Sequence, residues 1–315
     1  MRRYYMEIDF LLTLQKVAVL FILIVIGFIA GKSKLISKKG QKDITQLVLY
    51  ITMPATIFSA MQLEMNKERL NTSYKILGVM IFCYIIMYII GTLVSSRLPL
   101  TAGKKDIFKT SLLLSNTSFM GYPIVLSLLG PEALFYAVVG AGFVFEIISW
   151  TFGVYLITRN GNKEFELNFK NIIFSPGILS ILVGLVFFIF QWSVPEPINS
   201  VINTLAPATS PLAMIVIGLM LSRSNIIEAF KNKWLYLASV FKLFITPTLI
   251  ITILKLFGIT GPALVIPVIM ISMPTASYVA MFSDNYGNDA EFASQIIFLT
   301  SLLSMLSIPL ITLLF

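Results

Sequence analysis

The sequence predicts an all-α membrane protein of ten transmembrane helices, built as two inverted five-helix repeats with the fourth and ninth helices broken. Three observations predict it. The 315 residues are 57% hydrophobic and only 12% charged, where a soluble domain carries about a quarter charged residues. The apolar residues come in runs of about 20, which is bilayer length for a helix. Two segments half a chain apart nearly match: "PATIFSAM" at 54–61 and "PATSPLAM" at 207–214 agree at five of eight positions.

Taken in order, the apolar runs cover 11–31, 44–63, 74–94, 106–129, 133–158, 172–191, 198–221, 234–257, 263–283 and 290–315. The first is too long for a cleaved signal segment and no small-residue cleavage site follows, so it reads as a retained span. The connections are short, which predicts one bundle. Its halves are 1–158 and 171–315, joined by a short cytoplasmic linker at 159–170. Because five is odd, the second copy must run opposite to the first, the architecture of secondary transporters.

The net charge of +8 could signal nucleic acid, but Lys and Arg collect in short loops between the apolar runs. Fifteen of the 23 fall on one side, including Lys32, Lys34, Lys38, Lys104, Lys105 and Arg159, and six on the other, including Arg2, Arg3 and Lys255. The excess marks the cytoplasmic face and predicts both termini outside a plasma-membrane protein. No nucleic-acid partner is expected. Histidine is absent and Cys83 is the single cysteine, which removes His-based catalysis, a disulfide and a thiolate metal cluster together. Metalloproteases of the HExxH type are excluded, no span centre holds the paired aspartates of an intramembrane protease, and no motif supports a Ser–Lys dyad. No enzyme activity, metal or cofactor is expected.

The polar residues inside the spans are the candidate site. "SNTSFMGYPI" at 115–124 places an amide, hydroxyls, Gly121 and Pro123 within one apolar run. Proline removes a backbone donor and clashes with the preceding turn, and freed backbone groups at membrane depth must be buried in protein or line a wet cavity. Asn116, Thr117 and Ser118 can satisfy some of them. "SMPTASYVAM" repeats the pattern with Ser272, Pro274, Thr275, Ser277 and Tyr278, 151 residues after Pro123 when counted at Pro274. Two interrupted spans at matching positions point to a transporter binding site, and half-helix N-termini there suit an anion. Simple kinks are the alternative.

Glu146 and Lys242 lie deep within spans five and eight, roughly 18 and 12 Å from the inner edge at helical rise. Intramembrane charges are functional candidates that need partners. The expectation is that they pair or communicate, Lys242 compensating an anion and Glu146 carrying a coupling proton or helping to hold Na⁺. A purely structural ion pair is the alternative. Lys16 is expected to snorkel to the outer surface. Gln295, with Ser294, Thr300, Ser301 and Ser304, is a candidate for ion or substrate contact, against the packing role common for such residues. Asp284, Asp289 and Glu291 are expected to be solvated.

"NTSFMGYPIVLSLLG" resembles the Asn-Thr-x-x-x-Gly-x-Pro signature of the auxin efflux carrier family, in its bacterial organic-acid carrier branch. The resemblance continues in "SPGILSILVGLVF", "ATSPLAMIVIGLML" and the C-terminal stretch from "MPTASYVAMFSDNYGNDAEF" onward, and so covers essentially the whole chain. It implies ten spans with broken helices 4 and 9 crossing near Pro123 and Pro274, a scaffold of spans 1, 2, 6 and 7, and six spans that move as a transport domain. It implies that Asn116 contacts the substrate, and that the substrate is a small malonate- or malate-like carboxylate rather than auxin. "RNGNKEFELNFK" is short where plant members carry a long loop. The function implied is secondary active transport by an elevator-type alternating access, with H⁺ or Na⁺ as candidate coupling ion and a homodimer through the scaffold as a candidate assembly. An organic-anion channel or membrane-embedded sensor is the alternative.

Overall fold

A computed structural model describes residues 10–161, 173–223 and 226–315. Arg2, Arg3, Lys163, Lys170, most of the expected 159–170 linker and the start of the sixth apolar run lie outside the described residues. Among the described residues all regular structure is helical, apart from one isolated bridge between Ser115 and Thr275.

The helices are α1 (Phe10–Lys32), α2 (38–60), α3 (Lys67–Ser96), α4 (Ala102–Leu113), α5 (Thr117–Leu129), α6 (Pro131–Thr158) and α7 (Pro176–Phe190). They continue as α8 (Glu196–Ser222), α9 (Ile226–Lys231), α10 (Lys233–Leu256), α11 (Pro262–Ile271), α12 (Tyr278–Tyr286) and α13 (Ala290–Thr312). Six of them, α1, α3, α6, α8, α10 and α13, are long and apolar enough to cross a membrane, while α5, α7 and α11 are shorter apolar helices. α1 leaves Val19, Ile22, Ile26 and Ile29 exposed, as a helix apolar on all sides does when its outer face meets lipid.

Two groups of helices pack most closely among themselves. In one, α1 lies along α8 and α2 along α7 and the N-terminal part of α8; in the other, α3 packs on α4, α6 and α11, and α13 on α4, α10 and α12. Between α1 and α8 the backbones touch. A Cβ at Gly27 would stand 2.2 Å from the Ile215 carbonyl oxygen, and one at Gly218 2.0 Å from that of Ile24. Without a hydrophobic drive between helices in lipid, such close approach is what gains dispersion energy. Gly218→Leu is therefore expected to lower stability by about 3 kcal/mol, because the obstacle is backbone. Gly78→Leu, where a Cβ meets nothing within 4 Å, should melt as wild type in thermal unfolding of the purified protein. Equal melting of both variants would refute the tight α1–α8 seam.

The matched segments meet in this first group. The Thr56 hydroxyl lies 2.7 Å from that of Thr209 and donates to the Ala206 carbonyl at 2.9 Å. Thr56 and Thr209 are the third residues of the two "PAT" stretches, 153 positions apart.

The proline at 123 does not break its helix. A π-helical turn spans Thr117–Gly121, with Gly121 N–H donating to Asn116 O at 3.0 Å, and Pro123 follows two residues after it. Pro54 follows the π turn at Val48–Thr52, and Pro247 the one at Phe241–Ile245, with the same spacing. The wider turn shifts the carbonyl that the proline ring would otherwise meet, so the helix continues. The expected break and crossing at Pro123 are thus corrected. The chain leaves helical geometry earlier, at Leu114, where ψ is 105°, and resumes at Thr117. In the other broken segment Pro274 does sit inside the interruption, between Ile271 and Tyr278.

Candidate functional site

The two interruptions cross as antiparallel backbones. Asn116 N–H donates to Pro274 O at 2.7 Å, and Ala276 N–H to Leu114 O at 2.9 Å. Each break supplies what the other lacks, which is how extended backbone persists within an apolar bundle. The remaining free groups find side chains. The Thr275 hydroxyl donates to Ser111 O at 3.1 Å, the Ser115 hydroxyl to Ile271 O at 3.1 Å, and Thr275 N–H to the Thr300 hydroxyl of α13 at 3.2 Å. The ends of α4 and α11 are capped across the crossing rather than along the chain.

Lys242 completes that cap. It sits in the π turn of α10, 1% exposed, and its Nζ donates to Leu112 O at 2.9 Å and to Ser115 Oγ at 2.7 Å. A cation at a helix C-terminus meets the negative end of the helix dipole. Both partners are neutral oxygens, and no carboxylate pairs with it among the described residues.

Two side chains at the crossing keep unused capacity. Among the described residues the Thr117 hydroxyl is buried with no hydrogen-bond partner, and the Asn116 side chain, 5% exposed, makes no hydrogen bond. Buried polar groups are normally paired, so an unpaired one calls for a ligand, a water or a second conformation. Gly121 packs against the Met270 and Met273 side chains, where a Cβ would stand 2.9 Å from the Met270 sulfur. Pro123 lies two residues further along, buried.

Glu146 is also buried, but elsewhere. Trp150 Nε1 donates to its Oε2 at 3.2 Å and the Tyr278 hydroxyl to its Oε1 at 3.4 Å. Tyr278 stacks on Phe145 with ring centres 5.6 Å apart, and Trp150 tilts over Tyr278 at 5.9 Å. The carboxylate rests on the first turn of α7: a Cβ at Gly177 would lie 2.8 Å from Oε1. That turn, capped by Ser175, presents the positive end of a helix dipole to the carboxylate.

The structure thus brings Asn116, Thr117, Pro274, Thr275 and Lys242 together at the crossing and joins Glu146 to Tyr278. Ser277, half-buried, links the two places along the chain. The expected Glu146–Lys242 pair does not form, because each finds partners on different helices. Gln295 is not at the crossing; its Nε2 donates to Glu291 one turn back at 3.4 Å, and the α13 residue that reaches the crossing is Thr300. Lys16 does not snorkel to the surface. It donates to Ser127 O at 2.5 Å and ties α1 to the end of α5. Asp289 is not simply solvated: it caps α13 through Phe292 N–H at 2.9 Å and meets Lys104 at 3.4 Å.

Sequence reasoning missed Asp106. It is 1% exposed and holds Arg159 through both oxygens, with Asn160 Nδ2 donating at 2.5 Å. The only signal was a lone acid among the basic residues at that edge of a span.

The family described as "Membrane transport protein" has a model that matches residues 12–312. A protein of Methanocaldococcus jannaschii named an uncharacterized transporter is 28% identical over 308 residues, covering 95% of this chain and 98% of the relative. Another uncharacterized transporter, from Methanothermobacter thermautotrophicus, is 24% identical over 307 residues, 94% of this chain and 96% of the relative. A Rhizobium meliloti protein named "Putative malonate transporter" is 31% identical over 140 residues, covering 44% of this chain and 43% of its own.

Proposed function

The chain belongs to the Membrane transport protein family of multi-pass membrane transporters, and on that premise we propose that it is a secondary active carrier for a small organic anion. The observation that carries this reading is the Lys242 ammonium, buried at the crossing of two interrupted helices beside Ser115 and one residue from Asn116. A carboxylate there would supply the missing counter-charge, and Asn116 and Thr117 would donate to it. A malonate- or malate-like acid fits, in keeping with the name of the Rhizobium relative.

In this reading 1–158 and 171–315 are two inverted five-helix repeats, ten spans in all. The Thr56–Thr209 contact and the reciprocal backbone pairing at the crossing support it, since both join related segments. The group formed by α1, α2, α7 and α8 would be a scaffold, and the other helices would carry the crossing past it in an elevator-type alternating access. Asn116, Thr117, Gly121, Pro123, Pro274, Thr275, Ser277 and Tyr278 would form or shape the substrate site. Glu146 would couple transport to H⁺ or Na⁺, with Lys242 serving the substrate; Gln295, buried near the start of α13, would act only indirectly. Both termini would lie outside the plasma membrane, no cofactor would be needed, and a homodimer would form through the scaffold.

The test is counterflow in proteoliposomes loaded with malonate, malate or a monocarboxylate, with and without Na⁺. Saturable exchange of a carboxylate is expected. Unitary currents would make the protein a channel, and binding without flux a sensor. Asn116→Ala should raise the half-saturating concentration about tenfold, the loss of one charge-assisted hydrogen bond. Because that amide makes no hydrogen bond among the described residues, the unfolding midpoint should stay in place. A fall in the midpoint with unchanged affinity would assign Asn116 a structural role instead.

A further inference from the structure

A polar cavity, of about 320 Å³, lies at the far end of α4 from the crossing. Its walls are α3, the first turns of α4 and the residues after α6, and its polar lining includes Thr92, Lys105, Asp106, Lys109, Arg159 and Asn160. We propose that this cavity binds a phosphate-type oxyanion, whether a lipid headgroup or a free ion.

The argument begins with Lys109. It is 6% exposed, it lines the cavity, and its ammonium has no hydrogen-bond or ion-pair partner among the described residues. It lies over the face of Tyr88, with Nζ 5.6 Å from the ring centre. Gly91 makes this placement possible, because a Cβ there would press on the lysine stem at 3.2 Å. The stem is buried while the ammonium faces the cavity, so it keeps N–H donors for a ligand, and the aromatic face meets only one side of it.

Asp106 is not available as the missing acceptor. Arg159 Nε donates to Oδ2 at 2.8 Å, a second Arg159 nitrogen holds Oδ1, and Asn160 donates to Oδ2 as well. This pair neutralises itself, so Lys105 and Lys109 leave the lining with uncompensated positive charge. Lys105 reaches the Ser96 carbonyl at 3.2 Å and keeps two further N–H donors. The Thr92 hydroxyl is buried and unpartnered. The twelve-residue α4 starts at Ala102 on the cavity wall, and Thr101 provides no side-chain cap. Two ammonium groups, a spare hydroxyl and the free N–H groups of a helix N-terminus converge on one volume, which is the donor set of an oxyanion site. Carboxylates on the lining are confined to the occupied Asp106. The inference concerns binding at this end of α4 and stands whether or not the transport reading does.

The experiment uses the purified full-length protein in neutral detergent at constant ionic strength set with sodium chloride. The unfolding midpoint is titrated with inorganic phosphate and, separately, with micelles of phosphatidylglycerol against micelles of phosphatidylcholine. A site raises the midpoint as it fills. A rise with inorganic phosphate identifies a site open to soluble anions, and a rise with phosphatidylglycerol alone identifies a lipid headgroup site. Lys109→Gln and Lys105→Gln should each require roughly tenfold more of the active probe. Lys104→Gln should titrate as wild type, since Lys104 is engaged by Asp289 and is outside the lining. Should Lys109→Gln fail to fold, Lys105→Gln at a half-buried position carries the comparison. No rise with either probe, or equal rises in wild type and in the Lys105 variant, would overturn the proposal.

Discussion

Lys242→Met is expected to lower carboxylate counterflow about a hundredfold while moving the unfolding midpoint little. Two opposing terms set the small stability change. Removing a buried ammonium relieves a desolvation penalty of several kcal/mol. Leaving Leu112 O and the Ser115 hydroxyl short of a donor costs about 1–3 kcal/mol each. Methionine keeps the length of the stem, so the packing around a residue 1% exposed is retained. The functional term has no such offset. An anion entering the crossing would lose its one charged partner, and about 3 kcal/mol corresponds to about two decades. Counterflow and thermal unfolding on the same preparation separate the outcomes. A folded variant with wild-type counterflow would remove Lys242 from the substrate site. A variant that no longer folds would make its amine a helix cap first, the role already visible at the end of α4.

Glu146→Gln is expected to abolish gradient-driven accumulation while leaving exchange intact. The substitution keeps shape and one acceptor oxygen for Trp150, and its amide N–H can donate to the Tyr278 hydroxyl oxygen, but it cannot take up a proton or present full charge to a cation. The carboxylate bridges the two helix groups. It belongs to α6, bonds Tyr278 of α12, and lies against Gly177 of α7. Neutralising it would weaken its attraction to the α7 N-terminus, so its charge state is positioned to bias how one group sits against the other. The measurement is malonate uptake driven by an imposed proton or Na⁺ gradient, compared with counterflow at equal pH and Na⁺ on both sides. If the variant accumulates substrate with wild-type gradient dependence, Glu146 is a structural acid within an aromatic cluster. Gly177→Ala offers a second handle, because its methyl group would press on the carboxylate without changing its chemistry.

Much of this was legible in the sequence, for reasons that differ by residue. Runs of apolar residues report spans because a bilayer demands them, and α1, α3, α6, α8, α10 and α13 answer to such runs. The "PAT" repeat was visible as text, yet only the fold shows its two threonines touching. Glu146 and Lys242 were recognisable as buried, since charge is scarce in such surroundings. Their partners were not, because depth along a helix does not give the direction a side chain takes. The prolines misled at one place. Proline marks a backbone disturbance, and a π turn absorbed the one at Pro123.

By itself, then, the sequence determined that this chain is a helical membrane protein, where its charges are scarce and therefore conspicuous, and that polar residues gather around Asn116 and Thr275. Those are consequences of composition and order, which a solvent of lipid reads directly. The tertiary structure alone decided that the breaks fall at Leu114–Asn116 and around Pro274 and pair with each other, that Lys242 caps α4, that Glu146 leans on α7, and that Asp106 binds Arg159 and Asn160 while Lys109 lies over Tyr88. Each depends on which helix ends meet. Hydrogen bonds between residues more than a hundred positions apart are fixed by packing, not by local pattern.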